Sequence, residues 1–449
     1  MTTQDVLIEF RARIAARDGD GIAAFATRVS PSEWAAVVSR LDSAEVAVLL
    51  QWLPDAEILE LLAELDPADA ASILRTLTRP EAASLLEVMA PDDATDVVDE
   101  LSDVDAEQIL IQMEPGDAAE ILALLAYPPD SAGGLMTPAF VAIAPDLNAA
   151  QAIAALQRVS EEAETVYYVY VLDGSEHLLG VLSLHRLVLT DADTPVRDLM
   201  VMEPIRIHAS ADQETAARLL TGHNLLALPV VDGEDRLLGI ITQDDVADVL
   251  EAEATEDMYR MVGIGVEERA TSPMLESARR RVPWLTFNMA WSLGSAIIIS
   301  MFQGTIERAA VLAVFLPVIA GQAGNAGIQT ATIVIRSLAL GEISPRDTLL
   351  VLGKELGVGA IKGGIFGVAL FFIAWFWKGS PALGLVAGIA LFLNLAIVAS
   401  TTGVLMPMTL SKLGKDPATI AGVFDTMLSD LMGNLIYLGL ATLLIHWIV

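Results

Sequence analysis

Apolar residues recur every 12 positions in the first part of the chain, and an acidic residue follows each of them by four positions. The repeated apolar residues are Leu41, Leu53, Leu65, Leu77, Met89, Leu101 and Met113. Residues suited to N-caps follow some of them, such as Asp42 and Ser102, and Pro67 suits a first helical turn. Each unit therefore predicts one short helix and a turn. Because one unit cannot bury its apolar face alone, we expect the units to stack into an α-solenoid over about residues 20–127.

The pattern changes after the segment AGGLMTP, residues 132–138, where a duplication begins. Two similar stretches follow, TVYYVYVLDGSEHLLGVLSLHRLVL and LLALPVVDGEDRLLGIITQDDVADVL, with Asp173 and Asp232 59 residues apart. Each stretch predicts a strand, an Asp-Gly turn, a second strand and an amphipathic helix. A short helix is predicted in front of each copy, over residues 149–157 and 213–220. The duplication therefore predicts a pair of small α+β domains.

Five apolar stretches of about 20 residues or more fill the last part of the chain, and each is long enough to cross a hydrocarbon core about 30 Å thick. They lie at residues 284–303, 309–335, 348–377, 383–410 and 420–449. The last is predicted as one helix that continues to the C-terminus.

Basic residues at the ends of these stretches predict their orientation in the membrane. Arg308 and Lys378 flank one side, whereas the other side carries Arg279, Arg280, Arg281, Arg336, Arg346, Lys354, Lys412 and Lys415. The positive-inside rule then places the soluble part in the cytosol and the C-terminus outside, in a multi-pass protein of the inner or plasma membrane. The start, MTTQDVLIEF, has no apolar stretch behind a basic segment, so no cleaved signal peptide is predicted.

Charge divides the chain into two unlike parts. The 449 residues carry 26 Lys and Arg against 59 Asp and Glu, of which only 11 and 7 lie from Arg279 onward, so 15 and 52 lie in front of it. No cysteine is present, which excludes disulfides and thiolate metal sites. The five histidines are scattered, and neither a phosphate-binding loop nor a nucleophile–base pattern occurs, so we expect no enzyme and no nucleic-acid partner.

Asp and Glu residues are densest in QDDVADVLEAEATEDMYR, at the end of the second duplicated copy. On a helix these side chains place like charges three and four residues apart, which destabilises the helix unless something neutralises them. One interpretation is a solvated helix face. The other is that divalent cations bridge this helix to the acidic solenoid through oxygen ligands, which Mg²⁺ and Ca²⁺ prefer; in the solenoid, Asp92, Asp93 and Asp96 are candidates to face such a cation.

Polar residues inside the apolar stretches are few, and they indicate ion handling. Asp430 lies near the middle of the last stretch, where a carboxylate is costly and normally persists only beside a bundle interior or an aqueous path. Asp425 is five residues away, about 140° around the helix, so both cannot line one narrow path equally well. Asn325 and Gln329, in PVIAGQAGNAGIQTAT, and Asn394 complete the predicted pore-lining set.

The duplicated copies resemble CBS domains, which commonly bind adenine nucleotides as pairs. The resemblance implies an acid after the second strand that meets a ribose, at Asp244, and a contact at Tyr168. The first copy has His185 and Arg186 at the position of the acid, so a purely structural pair is the alternative.

Over nearly its whole length the chain resembles MgtE-type magnesium channels. The motifs are AGGLMTP, the QDDVADVLEAEATED run, PVIAGQAGNAGIQ and SDLMG with Asp430. The resemblance implies a homodimer in membrane lipid, with a pore on the dimer axis and Asp430 as the pore aspartate. It also implies a cytosolic Mg²⁺ sensor at Asp92, Glu214, Asp245, Asp248, Glu253, Glu256 and Asp257.

We therefore predict a multidomain membrane protein with an acidic α-solenoid N domain (1–130), an α+β CBS pair (131–252), a connecting helix (253–281) and a five-helix transmembrane domain (282–449). The predicted function is Mg²⁺ uptake down the electrochemical gradient, closed by cytosolic Mg²⁺. The alternative is a membrane-anchored CBS sensor that regulates a partner and transports nothing.

Overall fold

The computed structural model describes residues 3–448 except for 27, 39, 160–166, 266, 267, 269, 271, 419 and 420. The chain forms two compact units, Met1–Leu250 and Glu251–Val449.

The first unit opens with a series of short helices, as the 12-residue pattern predicts. Most of these helices pack against the helix two positions before them, around a core rich in Val, Leu, Ile and Ala side chains. The helices are Thr3–Ala16, Gly19–Ala26, Pro31–Val38, Ser43–Trp52, Asp55–Ala63, Pro67–Leu74, Arg79–Leu86, Pro91–Asp99, Asp103–Leu110 and Pro115–Leu124. From Ser43 onward one helix occupies each unit, so the predicted solenoid is confirmed.

The ends of these helices follow the predicted local chemistry. The Asp42 carboxylate accepts hydrogen bonds from the Ala44 and Glu45 N–H groups at 3.0 and 2.9 Å, and Glu45 caps the Asp42 N–H in return. Thr78 and Glu81 form a second such box. Proline opens the helices that begin at 67, 91 and 115. These caps satisfy N–H groups that a helix leaves unpaired at its start.

The rest of the first unit consists of two matching sheets. One sheet contains β1 (Ala142–Ile143), β2 (Tyr168–Leu172), β3 (Leu178–Ser183) and β4 (Val201–Met202) in that order, and the other β5 (Ile207–His208), β6 (Ala227–Val231) and β7 (Leu237–Thr242). In both, the first strand is parallel to the second and the second antiparallel to the third. The associated helices are Ala149–Val159, Leu184–Val188, Val196–Leu199, Gln213–Gly222 and Gln243–Met261.

The strand register confirms the duplication. Val171 pairs with Gly180 in the first sheet, and Val230 pairs with Gly239 in the second. The two Asp-Gly turns also bind each other, since the Leu178 N–H donates to the Asp235 carbonyl and the Leu237 N–H to the Glu176 carbonyl, both at 3.0 Å.

The second unit contains, among its described residues, five helical segments long and apolar enough to cross a membrane. We name them spans 1 to 5: Met274–Met301, Ala310–Ala339, Pro345–Lys378, Pro381–Lys412 and Phe424–Leu443. A short helix, Gln303–Arg308, follows span 1, and span 4 contains a π-helical turn over Asn394–Ala399. The number of spans agrees with the sequence. The last helix, however, runs over Ala421–Leu443 and a separate turn, Ile445–Ile448, follows it.

The predicted connecting helix over 253–281 differs from the structure. The helix Gln243–Met261 ends before Gly263, whose φ of +72° is a left-handed conformation that favours glycine. The next helix, Met274–Met301, begins after Pro273. Two helices therefore share the predicted range, because glycine and proline interrupt it.

Candidate functional site

Asp430 lies on span 5 at the wall of a cavity of about 380 Å³. Its carboxylate is half-buried. Asn288, Ser292 and Ser295 of span 1 line the same cavity, and span 2 contributes Ile328. The remaining lining residues are Met261, Val262, Trp291, Ala296, Ile299, Thr426 and Met427. The structure thus places the predicted pore aspartate beside a cavity whose lining is mostly apolar but carries Asn288, Ser292 and Ser295 on span 1. Polar groups and space for water beside a carboxylate are the setting in which it persists inside a membrane.

Asn325 and Gln329 share an exposed polar face of span 2. Ala326 and Gly327 are buried inside the subunit, whereas Asn325 and Gln329 are exposed. The face continues in both directions at helical spacing, through Gln322, Thr332 and Arg336. Because polar side chains are costly against lipid, this face requires water or another protein surface.

Asn394 does not share that face. It is fully buried at the π-helical turn of span 4, where its Nδ2 donates to the Ile319 carbonyl at 3.4 Å. Its amide also fills the space beside Gly433 of span 5. The helices of one subunit enclose the side chain, so its observed contacts are packing contacts, and its pore-lining role stays a prediction.

Two further carboxylates are buried within the membrane unit. Asp425 is 1% exposed and accepts a hydrogen bond from the Thr402 hydroxyl. Glu355 of span 3 is 4% exposed; it accepts from the Thr330 hydroxyl at 3.2 Å and pairs with Lys354 at 3.2 Å. The sequence analysis overlooked Glu355, although an acid eight residues into an apolar stretch was the signal that could have found it.

In the first unit, Asp245 belongs to a group of like charges that we name the first acidic cluster: Asp93, Asp96, Asp244, Asp245 and Asp248. Partial burial, and then the charges of Asp244 and Asp248, raise the pKa of Asp245, while hydrogen bonds from the Thr242 N–H and hydroxyl, at 2.9 and 2.7 Å, act in the opposite direction. Two predicted sensor residues, Asp245 and Asp248, therefore lie near the solenoid residues Asp93 and Asp96.

Asp93 and Asp96 are exposed side chains on one face of the helix Pro91–Asp99. Desolvation, followed by the charges of Asp245, Asp244 and Asp248, raises the pKa of Asp93 to about 6. Desolvation, followed by the charges of Asp93 and Asp245, raises the pKa of Asp96 to about 7. The cluster thus concentrates negative charge that a cation would neutralise.

The structure places two other predicted sensor residues differently. Asp92 is buried in the solenoid, about 100° around its helix from the exposed Asp93. Glu214 lies within 3.7 Å of Arg218 on its own helix. Asp93 and Asp96, which face the CBS acids, are the solenoid residues in the first acidic cluster.

Glu253, Glu256 and Asp257 lie in the second unit. There they form what we name the second acidic cluster, together with Asp416 from the segment before span 5. Partial burial, and then the charges of Asp416 and Glu253, raise the pKa of Asp257 to about 6. Arg260 pairs with both Glu256 and Asp416, at 2.5 Å from the latter. Asp416 was not predicted, because nothing in its local sequence indicates that it approaches the acidic helix.

Neither acidic cluster forms a complete coordination shell for a metal ion. The described ranges contain no set of three or more His, Asp or Glu side chains arranged to hold a metal ion directly. Mg²⁺ dehydrates reluctantly and usually keeps several waters, with only one or two carboxylates in contact. The carboxylate oxygens of both clusters are the right donors for such a hydrated ion.

The two predicted nucleotide contacts lie in different surroundings. Tyr168 packs at the core between the two CBS copies, near Tyr170 and Ile240. Asp244 accepts a hydrogen bond from the Thr242 hydroxyl and belongs to the first acidic cluster. Within the described part of the chain no hydrogen bond joins them, so each remains a separate prediction.

A solenoid followed by a CBS pair and five membrane spans, with a carboxylate at a polar cavity, defines a regulated multi-pass membrane transporter. Models of three families match the chain: an MgtE intracellular N domain at residues 29–130, CBS domains at 132–192 and 196–252, and an MgtE divalent cation transporter domain at 316–440. The chain belongs to the MgtE family.

Similar proteins and structures support this assignment. The chain is 37% identical over 326 residues to the magnesium transporter MgtE of Enterococcus faecalis, covering 73% of this chain and 72% of that one. It is 39% identical over 329 residues to the magnesium transporter MgtE of Thermus thermophilus, covering 72% of each. The cytosolic domain of the Mg²⁺ channel MgtE in complex with ATP matches 54% of this chain and 99% of that one, with a TM-score of 0.51 and 34% identity. The soluble part of a magnesium transporter matches 56% and 99%, with a TM-score of 0.50 and 29% identity.

Proposed function

We propose that the protein is a channel for Mg²⁺ that passes the hydrated ion down its electrochemical gradient. The observation that carries the proposal is Asp430, half-buried at a cavity of the membrane unit that Asn288, Ser292 and Ser295 also line. The similar proteins are named magnesium transporters, which supports the choice of ion. A carboxylate attracts the cation while the ion keeps its waters, so no nucleotide hydrolysis is needed. An inside-negative potential of about 100 mV contributes about 2.3 kcal/mol per charge, or about 4.6 kcal/mol for a divalent ion.

The pore is proposed to lie between two copies of the chain. The polar face of span 2, which includes Asn325 and Gln329, is not covered by its own subunit. Two such faces around a twofold axis would enclose water and exclude lipid. Asp430 of each subunit would then lie beside this water. The soluble domains would lie in the cytosol, because the basic residues at the ends of the spans are concentrated on that side.

Cytosolic Mg²⁺ is proposed to close the pore by binding the two acidic clusters. In the first cluster, Asp93 and Asp96 of the solenoid lie near Asp245 of the CBS pair, and desolvation, followed by the charges of neighbouring acids, raises the pKa of both. In the second cluster, Asp257 of the acidic helix faces Asp416, which precedes span 5. A cation that binds the closed arrangement more tightly shifts the population towards it.

An adenine nucleotide is proposed as a second ligand of the CBS pair. The similar cytosolic domain was solved as a complex with ATP, and it aligns with this chain at 34% identity. Asp244 would accept hydrogen bonds from the ribose, and Tyr168 would contact the ligand.

Uptake by the purified protein in liposomes tests the proposal. Mg²⁺ entry should depend on an inside-negative potential and should fall when Mg²⁺ is present on the cytosolic side. Parallel measurements with Co²⁺, Mn²⁺ and Ca²⁺ determine the selectivity. If liposomes take up no divalent ion while the protein still binds Mg²⁺, a sensor that transports nothing would be the better description.

A further inference from the structure

One wall of the cavity beside Asp430 comes from span 1, which the predicted pore did not include. Asn288, Ser292 and Ser295 all line the cavity, and they are spaced by four and three residues. This spacing places them on one face of a helix. The face extends over about 10 Å at a rise of about 1.5 Å per residue.

Span 5 continues this polar surface beyond Asp430. Asn434, one helical turn further along, is 5% exposed and donates from its Nδ2 to the Ser295 hydroxyl at 3.0 Å. Its Oδ1 atom is buried without a hydrogen-bond partner in the described part of the chain, and so is the Nε1 of Trp291, which also lines the cavity. Buried polar atoms normally have a partner, and water supplies it where protein does not.

The size of the cavity fits a cation that keeps its waters. A volume of about 380 Å³ holds about a dozen waters at about 30 Å³ each. Magnesium holds six ligands at about 2.1 Å, so with water of about 1.4 Å radius the hydrated ion is about 7 Å across. The volume of the cavity is therefore larger than that of the hydrated ion.

We infer that the face of span 1 formed by Asn288, Ser292 and Ser295 binds the water shell of the cation at Asp430, and so makes the site select for an ion that stays hydrated. The inference rests on the proposed channel function. Amide and hydroxyl oxygens accept hydrogen bonds from waters that the cation polarises, and Asn434 holds Ser295 in position for this contact. An ion that sheds its waters easily would gain nothing from these groups.

Hexaamminecobalt(III) tests the inference, because this complex has the shape of a hydrated magnesium ion but does not exchange its ligands readily. The experiment measures Mg²⁺ uptake into liposomes containing the full-length protein, and its block by the complex. The variants are Asn288→Leu, Ser292→Ala and Ser295→Ala, alone and combined. Ser300→Ala is the matched control, because Ser300 is on the same span but donates to the Ile297 carbonyl and does not line the cavity.

We expect the concentration for half-block to rise about fivefold for each hydroxyl removed, the ratio that one net hydrogen bond gives. The preference for Mg²⁺ over Ca²⁺ should fall in parallel, Ser300→Ala should match the wild type, and Ser295→Thr should retain the block. If the combined variant fails to fold, Ser292→Ala alone still tests the inference. Ser292 is exposed in the subunit, so we expect this single substitution to leave the fold intact.

A wild-type protein that the complex does not block would overturn the inference, and so would span 1 variants with unchanged block and unchanged selectivity. Asp430→Asn separates this outcome from failure of the proposed function. If Asp430→Asn abolishes uptake while the span 1 variants behave as wild type, only the role of span 1 is wrong. If Asp430→Asn conducts normally, the proposed ion site is wrong.

Discussion

The carboxylate of Asp425 lies against the Cα atom of Gly327, in the space that a Cβ atom at residue 327 would fill. The other oxygen of the same carboxylate accepts the hydroxyl of Thr402. Spans 2, 4 and 5 therefore meet at this one side chain, five residues before Asp430. This contact fixes the rotation of span 5, and with it the direction of Asp430.

Gly327→Ala should destabilise the protein, because the new methyl group collides with Asp425. We expect a loss of about 1–3 kcal/mol, the usual cost of overpacking. Thermal unfolding in detergent measures it. Gly321→Ala is the control on the same span, since a Cβ at residue 321 meets nothing within 4 Å.

Shortening the side chain of Asp425 tests whether the loss of stability comes from its collision with the new methyl group at residue 327. Gly327→Ala should cost less stability when Asp425 is already replaced by Ala than it costs in the wild type. The comparison is between the double variant and Asp425→Ala on one side, and Gly327→Ala and the wild type on the other. Equal melting of Gly321→Ala and Gly327→Ala would show that the contact is not tight.

Asp430→Asn should abolish or strongly reduce divalent uptake while the protein remains folded. The amide keeps the shape of the side chain but removes the charge that attracts the cation. Asp425→Asn is the internal control, and it should reduce uptake less, because Asp425 is buried inside the subunit and does not line the cavity. Uptake into liposomes and the elution volume of each variant provide the two measurements. Equal loss in both variants would mean that charge at Asp430 has no special role.

Neutralising the solenoid side of the first acidic cluster should weaken inhibition by cytosolic Mg²⁺. In the double variant Asp93→Asn, Asp96→Asn we expect the Mg²⁺ concentration for half-inhibition to rise at least about tenfold. The reason is that the closed state loses part of the Mg²⁺ binding energy by which it is favoured over the open state. Patch recordings with Mg²⁺ varied on the cytosolic face measure this. Asp117→Asn is the matched control, since Asp117 occupies the same position in its repeat as Asp93. Wild-type inhibition in the double variant would remove these residues from the sensor.

Protons should compete with Mg²⁺ at the same carboxylates. The pKa values of Asp93 and Asp96 are raised to about 6 and about 7, so both acids take up protons as the pH falls through that range. Protection of the soluble part from proteolysis by millimolar Mg²⁺ should therefore be strong at about pH 8 and weak at about pH 5. The double variant Asp93→Asn, Asp96→Asn should show little of this pH dependence. Protection that is equal at both pH values in the wild type would contradict the prediction.

The raised pKa values of Asp93 and Asp96 also determine how the stability of the metal-free protein changes with pH. Because the folded state binds protons more tightly than the unfolded state, whose Asp pKa is near 3.8, the contribution of these acids to stability is favourable at low pH. It is lost as the pH rises from about 4 to about 7, and Mg²⁺ should restore it. Unfolding by denaturant with chelator, at both ends of this range, measures the difference.

The elements that could be predicted from sequence are those that local chemistry determines. The caps at Asp42 and Thr78, the Asp-Gly turns and the number of apolar spans depend on neighbours within one segment of the chain. They agree with the structure for this reason, although the first and last spans have other bounds than predicted. The connecting segment differed because Gly263 permits a left-handed turn that the charge pattern of the helix does not reveal.

Contacts between distant segments were predicted less well. Asp416 meets Asp257 only because the segment before span 5 folds back to the acidic helix. Asn394 is polar in an apolar span, as a pore residue would be, but the π-helical turn directs it into the subunit. For Asp92 and Asp93 the sequence allowed either residue to face a cation; in the structure Asp92 is buried and Asp93 is exposed, which the sequence alone did not reveal.

The repeat of the solenoid in sequence is shorter than its repeat in space. One helix occupies 12 residues, but most helices pack on the helix two positions before them, so successive units belong to alternate layers. Loss or gain of a single unit between Asp96 and the CBS pair would place Asp93 and Asp96 in the opposite layer and turn them away from the CBS acids. Units in front of Asp93 are not restricted in this way, because they do not lie between the two groups of acids. The array is therefore free to change length in evolution at its N-terminal end, while the number of units between Asp96 and the CBS pair stays fixed.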